Sequence, residues 1–463
     1  MILFKAYPRN FSAIQADVDE YMPYDVMQLL DKGISNNIQQ IILEAPYVDK
    51  DFRDTYYNDF SKRFTDISRD SIRLHLFFSP DNVVTPNYGG FITLRDTKIR
   101  TIGRSYIAPK ALNNFTSGYC CLAKYEVNYR GQVLEVEAFP WMQQDGNVSR
   151  CAHIAAWSIN RYYSQRYCYY AERTLHEITT HDSTTRRVPS RGASVNQIAQ
   201  ILQKNRFDPE IYIRDNGNKE ETPYYTKECF NRLMHTFVES GIPFIAGVKS
   251  KHAIVIIGHG ELSDIDSVMN DNDGLTDSYE FIENLIIVDD TQLPYTNVFN
   301  YEDEQPYAYI FDEIDVLIVP FYEKMYLDVD YLYSEMLPAL ENNILKIGKQ
   351  DKIIRRVFLT SSRSFKKYMF KESRDSSYRE LMLLMQMPKF IWVAEYSSVE
   401  EFKKQEMHHR IILDATTLKF QVDAYMAIKK DNEVAVNNKS LKSVTVHIDK
   451  MSDVIYQNLG RIK

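Results

Sequence analysis

A cysteine, a histidine and a pair of aspartates occur in this chain in settings that suit nucleophilic chemistry. Cys151 follows a polar, glycine-containing loop, Gln143-Gln144-Asp145-Gly146-Asn147-Val148-Ser149-Arg150. Behind it Ala152, Ala155, Ala156, Ile159 and Tyr163 recur at helical spacing. The pattern predicts a helix that carries the thiol in its first turn, at the positive end of the helix dipole, where an anion is favoured. His252 opens the apolar run Ala253-Ile254-Val255-Ile256-Ile257, closed by Gly258, and reads as a histidine at the mouth of a buried strand. Asp289 and Asp290 end a second such strand, Leu285-Ile286-Ile287-Val288. A cysteine nucleophile needs a base, a group that orients the base, and donors for an oxyanion. The chain offers them in the order Cys151, His252, then Asp289 or Asp290, and adjacent strands would set the last two side by side. Gln144 and the backbone N–H of Cys151 are the expected oxyanion donors.

The other candidates read as structural. His75 sits on an apolar strand and reads as a satisfied core histidine. Cys120 and Cys121 fall in a strand pattern and read as buried, inert thiols. His176 with His181, and His252 with His259, form no coherent ligand set, so no metal and no cofactor is expected. The acidic stretch 261–280 does not match the spacing of a calcium loop and reads as a solvated loop. His408-His409 reads as a surface pair.

Composition narrows the class. With 463 residues the chain suggests about three domains. Hydrophobic residues make up 44% and charged residues 25%, an ordinary globular balance. A net charge of −8, with basic residues dispersed, argues against a nucleic-acid partner. The first residues show no secretory pattern, and no run approaches the ~18 apolar residues of a membrane span. Five cysteines without a CxxC pair argue against a disulfide framework. A cytoplasmic protein with no membrane partner is expected, its thiols free.

The elements around these residues suggest an α+β chain in three parts. Residues 1–138 read as an N-terminal α+β domain, with a helical period over 18–33, a strand at 39–43, a helix from Asp51 to Phe64 and strands at 72–78 and 91–95. Residues 139–326 hold the chemistry. They include an exposed loop over 173–192, a helix after Ser194 as N-cap, an amphipathic helix over 225–240, and a strand at 242–248. Residues 327–463 read as a C-terminal α+β domain, with helices at 328–346 and 377–387 and strands at 353–360, 390–395 and 410–414.

Residues 139–326 resemble the papain-like cysteine peptidases, and among them the bacterial C39-like branch. The resemblance rests on Gln143/Gln144 before Cys151-Ala152, on Ala155-Ala156, on Gly192, Ile198 and Leu202, on His252-Ala253-Ile254-Val255-Ile256-Ile257-Gly258, and on Ile287-Val288-Asp289-Asp290. It implies a core in which the cysteine helix packs on an antiparallel sheet, with site roles on Gln144, Cys151, His252 and Asp290. The family's glutamine lies six residues before its cysteine. Here Asp145 holds that position, and Gln144 lies one residue earlier. The choice between Asp289 and Asp290 stays open. The activity implied is cleavage of a peptide or isopeptide bond in a protein or peptide substrate. The same residues serve acyl transfer or deamidation, and an inactive papain-like scaffold for protein–protein interaction is the rival reading.

Overall fold

The computed structural model describes residues 3–462 apart from 20, 64–65, 81–83, 98–100, 116, 182–189, 191, 216–223, 250, 272–273, 300–310, 324, 349, 418–424 and 439–441. It is a mixed α+β chain built on three larger, mainly antiparallel sheets, in which Tyr224–Tyr225 and Leu275–Asp277 each pair with their neighbour in parallel. The first runs in the order Leu3–Pro8, Gln40–Tyr47, Ser71–Phe77, Tyr88–Arg95, Thr101–Ile102. Its middle strand is buried along its whole length. His75 lies there, bonded through Nδ1 to the Tyr88 hydroxyl at 2.9 Å and through Nε2 to Glu44 at 3.1 Å, a satisfied core histidine as expected.

The central sheet has the order Tyr224–Tyr225, Asp208–Arg214, Ile314–Phe321, Phe244–Val248, His252–His259, Asn284–Val288, Thr296–Phe299. The β-branched, nearly all-apolar sequences of its inner strands are those of strands covered on both faces, and Ile314–Phe321 is buried at every position. At Gly258 the strand Gly118–Cys120 crosses so close that a Cβ would lie 2.0 Å from the Tyr119 carbonyl oxygen. A glycine there is what lets the two strands pair. Cys120 and Cys121 are buried beside it, and burial pushes both thiols up, Cys121 to about 12.

The helix Cys151–Arg166 runs against the strand His252–His259. Ala152, Ala155 and Ala156 keep its flank slim, and every residue from Ala152 to Tyr163 is buried. A helix covered on all sides is a core element rather than a surface one. Two of its polar groups are tied to a single carboxylate from another element. Arg161 meets the Asp51 carboxylate at 2.9 and 3.0 Å, and the Trp157 indole N–H donates to the same carboxylate at 2.9 Å. Asp51 sits in the helix Lys50–Thr55, so the first region clamps the cysteine helix from more than ninety residues upstream.

The third sheet runs Leu275–Asp277, Ile353–Ser361, Phe390–Ser398, His409–Asp414, Tyr425–Lys430, Glu433–Asn438, Lys442–His447. Two strands cross between regions. Leu275–Asp277 joins this sheet, and Gly460–Ile462 returns to pair with Gly118–Cys120. Between the second and third sheets lies a buried charge chain: His259 to Glu239 at 3.2 Å, Glu239 to Arg356 at 2.5 Å, Arg356 to Glu395 at 3.3 Å, Glu395 to Arg410 at 2.6 Å.

Several local expectations change in the folded chain. The period over 18–33 becomes a helix only from Tyr24, because Pro23 precedes it as N-cap. Leu175–His181, expected as exposed loop, is a helix whose Leu175, Ile178 and Thr179 are buried. Asp182 of that stretch lies outside the described residues. The acidic stretch 261–280 contains the helix Ile265–Asp271 and the strand Leu275–Asp277. The 328–346 helix contains π-helical turns at Leu332–Met336 and Glu341–Leu345. His408 and His409 are not a surface pair. His408 bonds Glu401 at 2.5 Å, and His409 is buried on the strand His409–Asp414. Ser194 does cap the helix Val195–Lys204, accepting the Gln197 N–H. Among the described residues no helix is long and apolar enough to cross a membrane.

Candidate active site

The folded chain brings Cys151, His252 and the two aspartates together. Cys151 is the first residue of its buried helix, half-buried where the residues behind it are closed off. The turn before it is shaped by Asp145, whose side chain is buried. Asp145 Oδ1 accepts the N–H groups of Asn147 and Val148, each at 2.7 Å, and that of Ser149 at 3.3 Å, while Oδ2 accepts the Ser149 hydroxyl at 3.0 Å. A carboxylate collecting donors in this way folds the loop and has nothing to give an oxyanion. The loop is also tied across to Ser190, whose carbonyl accepts Arg150 Nε at 3.1 Å.

The two upstream glutamines have different surroundings. Gln143 is tied to the first sheet: its Oε1 accepts the Ile102 N–H at 3.0 Å, and its carbonyl accepts Arg95 at 2.7 Å. Gln144 is half-buried, and its amide makes no hydrogen bond to another described residue. At the start of the helix His153 Nδ1 reaches back to accept the Arg150 backbone N–H at 3.3 Å. The first intrahelical bonds run from His153 and Ile154 to the Arg150 carbonyl, which leaves the N–H groups of Cys151 and Ala152 pointing out of the helix end.

His252 stands where the strand His252–His259 begins, its side chain 21% exposed. That strand pairs with Asn284–Val288 through Val255 opposite Val288. The next residue, Asp289, therefore lies level with the start of its neighbour, close to His252. His252 Nε2 meets Asp289 Oδ1 at 3.0 Å. Asp290 Oδ1 is 3.8 Å from the same nitrogen, beyond hydrogen-bond reach. The structure thus puts the histidine's partner on Asp289, and not on Asp290, where the family resemblance had put it. Asp289 is held in turn. Its Oδ1 also accepts the N–H and hydroxyl of Thr291 at 2.8 and 2.9 Å, and its carbonyl accepts the Trp141 indole N–H at 2.8 Å. With Nε2 turned to Asp289, Nδ1 is the ring nitrogen left to face the Cys151 thiol, which lies near enough to help raise the pKa of His252.

These contacts decide the charge of His252. Burial acts most strongly and disfavours its imidazolium. The hydrogen bonds to Asp289 and Cys151, with the charges of both, together outweigh burial and raise its pKa to about 10. Asp290 is pushed up to about 7, first by burial and then by the neighbouring charge of Asp289, against the pull of His252. As a carboxylate it finds no donor for either oxygen among the described residues. As a carboxylic acid it gains a proton to give to Asp289.

The donor atoms of His252, Asp289 and Asp290 lie within 4.8 Å of one another, near enough for one divalent ion. Such an ion would compete with the proton shared by His252 and Asp289 and would take the imidazole from the thiol. Sequence reasoning missed Trp141, Thr291 and the clamp from Asp51. Thr291 had a readable signal, because Asp-x-Thr after a strand is an Asx-turn pattern. Trp141 and Asp51 had none.

No family model, curated protein or solved structure was found to match this chain.

Proposed function

We propose that this chain is a papain-like cysteine peptidase that cleaves a peptide or isopeptide bond of a protein or peptide substrate. The observation that carries the proposal is an imidazole held by Asp289 at 3.0 Å beside a thiol at the start of a buried helix. In this reading Cys151 gives its proton to His252, and the thiolate attacks the substrate carbonyl carbon. The carbonyl oxygen becomes an oxyanion held by the Cys151 N–H and the Gln144 amide, a contribution of about 3 kcal/mol per donor in comparable sites. His252 then returns the proton to the leaving amine as the carbon–nitrogen bond breaks, and an acyl-enzyme remains on Cys151. Water, deprotonated by His252, attacks that thioester and frees the acid and the thiol. Asp289 holds the ring and balances its positive charge throughout. An amine in place of water would give acyl transfer from the same intermediate. The contact between thiol and imidazole favours the enzyme over an inactive scaffold, which needs no such alignment.

The test is the pH dependence of iodoacetamide labelling at Cys151, in the wild type and in His252→Ala, with exposed Cys168 and Cys229 as internal references. Fast labelling of Cys151 at pH 6 that collapses in the variant is expected. Labelling no faster than at the reference thiols, and unchanged by the substitution, would overturn the proposal.

A further inference from the structure

A second cleft opens at the far end of the cysteine helix. Its volume is about 400 Å³, within the range of small-molecule sites. One wall comes from the last turn of that helix and the residue after it, Tyr163, Arg166 and Tyr167, together with Tyr322 at the end of a central strand. The facing wall is the helix Ser362–Glu372. Cys151 opens the cysteine helix and Arg166 ends it, so at 1.5 Å per residue the cleft lies roughly 20 Å from the thiol. It is not part of the active-site groove.

The two walls differ in chemistry. The helix wall sets Ser364, Lys367 and Lys371 three and four residues apart, in one line facing the cleft. At its head Ser361 caps the helix, accepting the Ser364 N–H at 3.1 Å and donating to the Ser364 hydroxyl at 2.8 Å, which leaves that hydroxyl's own proton to give. This is the positive end of a helix of 11 residues. Arg166 adds a third cation from across the cleft. Against these three stands one carboxylate, Glu372, so the lining is net positive in a chain of net charge −8. Among the described residues none of the three cations is ion-paired with a carboxylate.

The opposite wall is aromatic. The Tyr322 ring lies 4.7 Å from that of Phe390 and 5.8 Å from that of Tyr167, and Tyr163 is 6.1 Å away. Lys389 sits over the Tyr322 and Phe390 rings at 5.6 and 5.3 Å. A row of cations and hydroxyls facing a bank of rings suits a ligand with an anionic chain at one end and a flat ring at the other.

We propose that this cleft binds a nucleoside phosphate, with the phosphates along Ser364, Lys367 and Lys371 and the base against Tyr167 and Tyr322. The site touches the cysteine helix through its last turn, and it joins the central region to residues 359–390. Its occupancy does not depend on the thiol chemistry, and either reading can fail alone.

The test is isothermal titration of the full chain with ATP, with tripolyphosphate, and with adenosine. ATP is expected to bind once per chain. Tripolyphosphate and adenosine are each expected to bind at least tenfold more weakly, because each fills one wall only. The exposed double variant Lys367→Ala/Lys371→Ala is expected to weaken ATP at least tenfold, and Tyr322→Leu to weaken ATP while leaving tripolyphosphate unchanged. Thermal melts of both variants check that they are folded. No saturable binding of ATP at millimolar concentration would overturn the proposal. So would equal affinity for ATP and tripolyphosphate, or wild-type affinity in the double lysine variant.

Discussion

Replacing the two aspartates one at a time should have unequal effects, and the inequality follows from two distances and one proton. Asp289 reaches His252 Nε2 at 3.0 Å, whereas Asp290 stops at 3.8 Å. Asp289→Asn keeps an acceptor for the ring N–H but removes its charge, so a charge-assisted bond of about 1.5–3 kcal/mol becomes a neutral one of about 0.5–1.5 kcal/mol. At 1.36 kcal/mol per factor of ten, the lost difference of about 1–1.5 kcal/mol lowers the thiolate–imidazolium population about 5- to 12-fold, and labelling of Cys151 at pH 6 should slow accordingly. Asp290 is pushed up to about 7 by burial and by the charge of Asp289. At pH 6 it is therefore ~90% protonated, and the neutral amide of Asp290→Asn replaces a group already nearly neutral. The expected change at pH 6 is less than about twofold, and it should grow above pH 7, where the wild-type carboxyl becomes charged. The assay is mass-spectrometric labelling by iodoacetamide from pH 5 to 9, with Cys168 and Cys229 as references in the same sample. Equal slowing by both variants at pH 6, or a wild-type rate in Asp289→Asn, would refute the assignment of Asp289 as the orienting carboxylate.

Three further outcomes are expected. His252 should titrate near pH 10 by NMR of its ring protons, and Cys151→Ala, which takes away one of the two partners that raise it, should move that titration down; an unchanged midpoint would mean that the thiol does not touch the ring. Asp290 has a higher pKa in the folded chain than its ordinary 3.8, so it binds its proton more tightly when folded and costs stability as pH rises from about 4 to 7. Asp290→Asn removes that cost, and the thermal stability it adds should be absent below pH 4, increase up to about pH 7 and stay level above. Asp51→Ala leaves the buried Arg161 without its main counter-ion and the Trp157 indole without an acceptor, and should cost about 3–5 kcal/mol by urea unfolding; a change under 1 kcal/mol would show that the clamp on the cysteine helix is not needed.

Much of the site was legible in the sequence because its parts are local. A polar loop followed by alanines at helical spacing is enough to start a helix at Cys151, and five β-branched or small apolar residues after His252 are enough to make a buried strand. The sequence also marked Asp289-Asp290 as a strand end and Ser194 as a cap, since strand ends and caps depend on neighbours within a few residues. It misread 173–192 and His408-His409 as exposed. Polar composition suggested solvent there, whereas the folded chain buries Leu175, Ile178 and His409 against partners far away in sequence.

What the tertiary structure alone decided is which of two adjacent aspartates meets His252. Successive residues at a strand end point in different directions, so a shift of one residue exchanges Asp289 for Asp290. The pairing of Val255 with Val288, together with the Trp141 and Thr291 contacts that hold the turn, puts Asp289 against the histidine. Gln143 and Gln144 divide in the same way: Gln143 is bound to Ile102, a residue from the first sheet, and Gln144 is left free of it. The sequence by itself determined the residue types and the elements that carry them. Their roles depended on contacts between residues tens to more than a hundred positions apart, and no local pattern encodes such contacts, because each is made only when separate sheets and helices pack together.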